Sequence, residues 1–95
     1  MRVASLLLGM ALVSAPLMAQ AQAPLLAQAC AGCHGQNGAG LGGTPKISGT
    51  PPAEFIQNWA QLRANEKPVT IMGRIARGYT DAEVAALADY FASLR

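Results

Sequence analysis

The sequence predicts an all-α domain, and three features carry that prediction. Apolar residues recur at helical spacing just before residue 30, between 55 and 62, and between 84 and 94. No stretch alternates apolar and polar residues for more than three or four positions, so no strand is expected. Gly35 to Gly43 holds five glycines in nine residues, which makes a loop between helical stretches.

The helices follow in order. Pro24 to Cys33 reads as a short helix with Leu25, Leu26 and Ala29 on one apolar face. Thr50-Pro51-Pro52-Ala53-Glu54 is a helix start: a capping hydroxyl, prolines in the first turn, then an acid near the positive end of the dipole. Phe55, Ile56, Trp59 and Leu62 form its inner face, and it should stop between Ala64 and Glu66, before Pro68. Val69 to Gly73 is apolar, broken by Gly73, and reads as a loop. Thr80-Asp81-Ala82-Glu83 is a capping box for the last helix. Val84, Leu87, Ala88, Phe91 and Leu94 line its inner face, and Ala85 and Ala92 beside them let another helix approach closely.

The N-terminus reads as a leader. Arg2 precedes an uncharged stretch from Val3 to Met18, and Ala19-Gln20-Ala21 supplies a small-x-small site. This is the pattern of a secretory signal peptide, residues 1–21, followed by one domain, residues 22–95. A membrane anchor is the competing reading. A full span needs about 20 apolar residues, and Ser5, Gly9, Ser14 and Pro16 weaken this one. Export to the periplasm, with no membrane anchor after cleavage, is the expectation.

The exported domain is nearly neutral. Loss of Arg2 lowers the whole-chain net charge of +2 by one. With no basic excess and no aromatic-basic interleaving, nucleic-acid binding has no support. The domain is also small enough to need a staple beyond its own core.

Cys30-Ala31-Gly32-Cys33-His34 is the informative motif. Two thiols three residues apart, followed at once by an imidazole, form the pattern of covalent c-type haem attachment. On a helix turn both thiols reach one side, where each can add to a vinyl group on the same porphyrin edge, and His34 can ligate the iron. Three alternatives fit less well. A redox dithiol wants a βαβ pattern around it, structural zinc wants four ligands from a chain with two Cys and one His, and a Cys30–Cys33 disulfide closes too short a loop to stabilise much.

One methionine, Met72, remains once Met1, Met10 and Met18 leave with the leader, and there is no second histidine. A thioether with His is the ligand pair that raises the potential of cytochromes c. A lone Met is ordinarily a core filler, and Lys46 or Lys67 is a minor alternative ligand. Pro45, at the end of the glycine loop, offers a carbonyl with no N–H of its own, suited to the second ring nitrogen of His34. It reads equally as a plain loop proline. Between residues 63 and 77, Arg63, Lys67, Arg74 and Arg77 face Glu66 alone. Lys67, Arg74 and Arg77 are candidates to steer an acidic partner, against the plainer reading of solvated charges or an arginine held by a haem propionate.

With these residues in place, the chain resembles a small class I cytochrome c through Cys30 to Gly35, Thr44-Pro45-Lys46-Ile47, Met72 and the aromatic C-terminal helix. Thr70 to Asp81 is similar to the cytochrome subunits of flavocytochrome c sulfide dehydrogenases. Those are often two-haem proteins, and this chain has one Cys-x-x-Cys-His, so it can match only a one-haem version. The resemblance implies three to four helices around one covalent haem c, with the first and last helices crossing. It implies that Pro45 carbonyl bonds to His34, that Ile47 packs on the ring, and that Met72 binds the iron. The expected function is a one-electron carrier that is not itself an enzyme, with a redox partner such as a flavoprotein that oxidises sulfide. A free shuttle to an oxidase or reductase is the alternative within that class. A haem peroxidase or gas sensor with an open sixth iron position is the alternative from another class.

Overall fold

The computed structural model describes residues 21–67 and 70–94. The leader up to residue 20, Pro68, Val69 and Arg95 lie outside them. Four α-helices form among the described residues, α1 over 21–34, α2 (Pro52–Arg63), α3 (Ile71–Ala76) and α4 (Asp81–Ser93), with a single 3-10 turn at Gln36–Gly38. No strand forms there, and an isolated bridge pairs Leu41 with Thr44. The all-α expectation therefore holds.

α1 is helical before Pro24 as well as after it, and its inner face differs from the expected one. Ala23, Ala27 and His34 are buried, with Leu26, Cys30 and Ala31 half-buried, whereas Leu25 and Ala29 are exposed. Spacings of four, three and four put 23, 27, 30 and 34 on one side. The small residues face inward, and the larger Leu25 is left in solvent.

α2 begins without the expected side-chain cap. Pro51 occupies the cap position, and the Thr50 hydroxyl donates back to Ile47 carbonyl at 3.0 Å. The helix stops at Arg63 because Asn65 turns left-handed, with φ of 60°. Asn65 N–H then donates to Leu62 carbonyl and Glu66 N–H to Gln61 carbonyl, the paired bonds of a Schellman motif. Phe55 and Trp59 are buried and Leu62 half-buried, while Ile56 is exposed.

The segment expected as a loop contains α3. Gly73 does not break it. It is buried where α3 lies against the end of α2, and a Cβ there would meet Leu62 carbonyl oxygen at 3.4 Å, a contact distance.

α4 opens on the predicted capping box. Glu83 N–H donates to Thr80 Oγ1 at 3.1 Å, and Thr80 N–H donates to Glu83 Oε1 at 2.8 Å. Val84, Leu87, Ala88 and Phe91 are buried as expected. Ala86 is buried too, and Ala85 is exposed.

α2 packs on both α3 and α4. The core gathers Ala27, Phe55, Trp59, Ala76, Val84, Leu87, Ala88 and Phe91. The five aromatic residues of the chain form one string through it. Tyr79 meets Trp59 edge-on at 5.2 Å, Trp59 stacks with Phe55 at 5.8 Å, Phe55 with Phe91 at 5.9 Å, and Phe91 meets Tyr90 edge-on at 5.4 Å. Such offset and edge-on pairs add to the burial of the rings.

Candidate haem site

The site starts where α1 stops. Cys30 is half-buried and Cys33 exposed, and both are free thiols. Three residues of helix turn separate them by about 60° around the axis, so they share one side. Burial pushes the Cys30 thiol above its ordinary range. The Tyr79 phenol is also raised, first by burial, then by the charges of Cys30 and Glu83.

His34 ends the helix and is 7% exposed. Its Nδ1 lies 2.7 Å from Pro45 carbonyl oxygen. A carbonyl can only accept, so Nδ1 is the donor, and in the neutral imidazole Nε2 is then the nitrogen with the free lone pair. That is the form in which an imidazole ligates a metal, with its second nitrogen fixing the ring.

Backbone hydrogen bonds bring Pro45 there. Gly40 N–H donates to His34 carbonyl at 2.6 Å, and Leu41 and Thr44 exchange bonds of 3.2 and 2.9 Å across a tight turn. Ile47 N–H and Ser48 N–H both donate to Gly38 carbonyl, at 2.8 and 3.0 Å. Gly38 is buried with φ of 71°, and a Cβ there would sit 2.8 Å from both Ile47 and the Phe91 ring. This loop is an ordered support for His34, and only glycine fits at position 38.

Met72 is held differently. It is half-buried on α3 and borders the core that Cys30 and Ile47 also border. The end of α3 is fastened by α2 side chains. Trp59 Nε1 donates to Ala76 carbonyl at 3.1 Å, and Arg63 Nη2 donates to Tyr79 carbonyl at 2.9 Å. Arg63 also pairs with Asp81 at 2.8 Å, an exposed pair of small worth.

Arg63 is thus a fastener of the fold, which removes it from the cationic run. Its role and that of Trp59 were missed in the sequence. The available signal was that a buried indole N–H needs an acceptor, and that residue 63 follows 59 by one helix turn.

The donor set fits a haem. It offers two free thiols, an imidazole whose Nε2 is left for a metal, and a thioether at the edge of the same core. Among the described residues no cluster of three or more His, Cys, Asp or Glu could hold a bare metal ion. A separate cleft of about 480 Å³ lies between α1 and α4, lined by Ala27, Ala31, Gly38, Tyr90 and Phe91 among others. Neither cysteine, His34 nor Met72 lines it, so it is not where the motif points.

Comparison with known proteins agrees with this geometry. The family model of cytochrome c matches residues 19–95. The chain belongs to the cytochrome c family. A cytochrome c carries electrons on a haem and does not itself transform a substrate. The chain is 35% identical over 63 residues to the cytochrome subunit of sulfide dehydrogenase from Chlorobaculum tepidum, covering 66% of this cytochrome and 57% of that protein. It is 37% identical over 67 residues to the thiosulfate dehydrogenase electron acceptor of Stutzerimonas stutzeri, covering 65% of this chain and 31% of that protein. This cytochrome therefore spans little more than half of one relative and under a third of the other. No helix of the described residues is long and apolar enough to cross a membrane.

Proposed function

We propose that this cytochrome is a periplasmic one-electron carrier holding one haem c through thioether bonds at Cys30 and Cys33. His34 and Met72 would be the residues that hold its iron. The observation that carries this reading is the 2.7 Å bond from His34 Nδ1 to Pro45 carbonyl, one residue after the second thiol. It leaves Nε2 as a ready-made ligand beside two unpaired thiols. A bound haem supplies an iron that passes between ferrous and ferric states. The chain's part is to hold the imidazole in one orientation, to present the Met72 thioether from α3, and to exclude water with the core that Ile47 and Met72 border. Ile47 is the residue proposed to pack on the ring. The leader, residues 1–21, directs export, and residues 22–95 form the working domain.

The partner proposed is a flavoprotein that oxidises sulfide, in keeping with the relative from Chlorobaculum tepidum. The relative from Stutzerimonas stutzeri supports a second reading, in which the chain is a free acceptor of electrons from a dehydrogenase acting on another reduced sulfur compound. Both readings make the donor an oxidoreductase of reduced sulfur.

The test is direct. Acid-acetone extraction and intact-mass measurement of protein matured in an exporting host should give the chain from residue 22 plus one haem. Cys33→Ala should lose most of the holoprotein. Met72→Ala should lose the weak charge-transfer band of a ferric iron–thioether bond, lower the potential and open the ferrous iron to carbon monoxide. Wild type that binds carbon monoxide as readily as Met72→Ala would replace this reading with that of a peroxidase or gas sensor.

A further inference from the structure

Asn37-Gly38 is the one asparagine–glycine pair in the chain, since Asn58 precedes Trp59 and Asn65 precedes Glu66. Asparagine before glycine can modify itself. The glycine amide nitrogen attacks the asparagine Cγ, a new C–N bond forms, and ammonia leaves from the side-chain amide, closing a succinimide ring. Water then opens the ring at one of its two carbonyls. One opening gives aspartate. The other gives iso-aspartate, in which the main chain runs through the former side chain and is one carbon longer. Glycine favours the first step because no Cβ crowds the attacking nitrogen.

The structure holds the reacting atoms apart. Asn37 is exposed, and its backbone is left-handed, with φ of 57° and ψ of 19°. At so small a ψ, Gly38 nitrogen nearly eclipses the backbone nitrogen of Asn37 and is turned away from Cβ, so Cγ is out of its reach. The Gly38 N–H is also engaged, donating to Gly35 carbonyl at 3.0 Å. Ring closure needs a large turn about ψ, and Gly38 has no freedom for it. Its carbonyl accepts from the amides of Ile47 and Ser48, and it is buried against Ile47 and the Phe91 ring. In an unfolded chain none of these restraints acts.

The two products differ in what the loop can do with them. Aspartate leaves the main chain unchanged and tolerates the left-handed backbone. Iso-aspartate lengthens the main chain directly before Gly38, where even a Cβ would sit 2.8 Å from Ile47 and Phe91. The longer chain cannot keep Gly38 N–H on Gly35 and Gly38 carbonyl on Ile47 and Ser48 together.

We propose that Asn37 is a self-modification site that the closed loop holds shut and that unfolding opens. Its iso-aspartate product bars the loop from closing again. The site therefore limits how long the chain can stay unfolded and still bring Pro45 to His34. The net reaction consumes one water and releases one ammonia. It needs no oxidant, enzyme or haem, and so does not depend on the electron-carrier reading.

The test compares the purified exported protein in native buffer with the same protein held in guanidinium chloride, both at mildly alkaline pH. Peptide mass spectrometry reads the conversion at each asparagine. Isoaspartyl methyltransferase, which methylates iso-aspartate and not aspartate, reads the product. Asn37 should react at least about tenfold faster in the unfolded chain, because the native chain must first open its loop. Asn58 and Asn65 should stay intact over the same period. When denaturant is removed, the fraction that regains protease resistance should fall in step with iso-aspartate. Asn37→Gly keeps the left-handed backbone, has no side chain to cyclise, and should refold in full after the same treatment. Asn37→Asp should fold like wild type before treatment, which separates the added charge from the altered main chain.

Equal rates in native and unfolded protein would show that the loop does not guard the site. Reaction of Asn58 or Asn65 as fast as Asn37 would show that there is no special site. Iso-aspartyl chains that regain protease resistance, or Asn37→Gly chains that do not, would overturn the block on closure. Misfolding of Asn37→Asp would assign the damage to charge and overturn it as well.

Discussion

The two sides of the candidate haem site are built by different means. The His34 side is a backbone construction. A glycine-rich loop folds on its own amides and carbonyls, and Pro45 arrives beside the imidazole as a consequence. The Met72 side is a side-chain construction. α3 has six residues, too few to be stable alone, and it stays in place because Trp59 and Arg63 of α2 hold the carbonyls of Ala76 and Tyr79. The lesson is that one ligand is secured by local chain geometry and the other by tertiary contacts. The Met72 side should therefore loosen first.

Four substitutions break or sharpen that contrast, in order of expected effect. Gly38→Val strikes the backbone side where there is no room, 2.8 Å from Ile47 and Phe91 and at positive φ. It should cost about 3 kcal/mol or more, and the yield of haem-loaded protein together with its denaturant midpoint will show it. Trp59→Phe keeps an aromatic ring in the core and removes the shorter of two donors to Ala76 carbonyl, leaving Arg63 Nε at 3.4 Å. A loss of about 2 kcal/mol is expected. The iron–thioether band should weaken on mild heating before the haem environment on the His34 side changes; simultaneous loss of both would show the two sides to be one cooperative unit.

Thr80→Ala removes one half of the capping box, directly after the turn that follows α3. Thermal unfolding should register about 1 kcal/mol. Thr50→Ala removes the hydroxyl that donates to Ile47 carbonyl, a side-chain bond on the backbone-built side. Because the amides of Ile47 and Ser48 already anchor that segment to Gly38, the cost should be about 0.5 kcal/mol, measured by urea unfolding. A cost above that of Trp59→Phe would reverse the contrast.

Much was legible in the chain before any coordinates. The capping box at Thr80 and the inner face of α4 came out as read, because a cap is a local hydrogen-bond pattern and a helix face is a periodicity. The proposed roles of Cys30, Cys33 and His34 rest on the sequence in the same way, because covalent haem attachment would need those residues at that spacing. Pro45 was one of two open readings, and the 2.7 Å contact puts its carbonyl on His34 Nδ1.

Other features depended on what lies far away in sequence. Which side of α1 turns inward was decided by the close packing available to Ala23 and Ala27, and hydrophobicity alone favoured the wrong leucine. Gly73 reads as a breaker in isolation and as a contact residue once α2 lies against it. Arg63 reads as a surface charge until Tyr79 and Asp81 are brought to it. By itself the sequence determined the haem-attachment motif and the helical class, because thiol spacing, capping and periodicity act within one or two turns. Only the tertiary structure decided how α3 is seated, which cations are already engaged and which isoleucines face solvent, because those depend on groups supplied by distant parts of the chain.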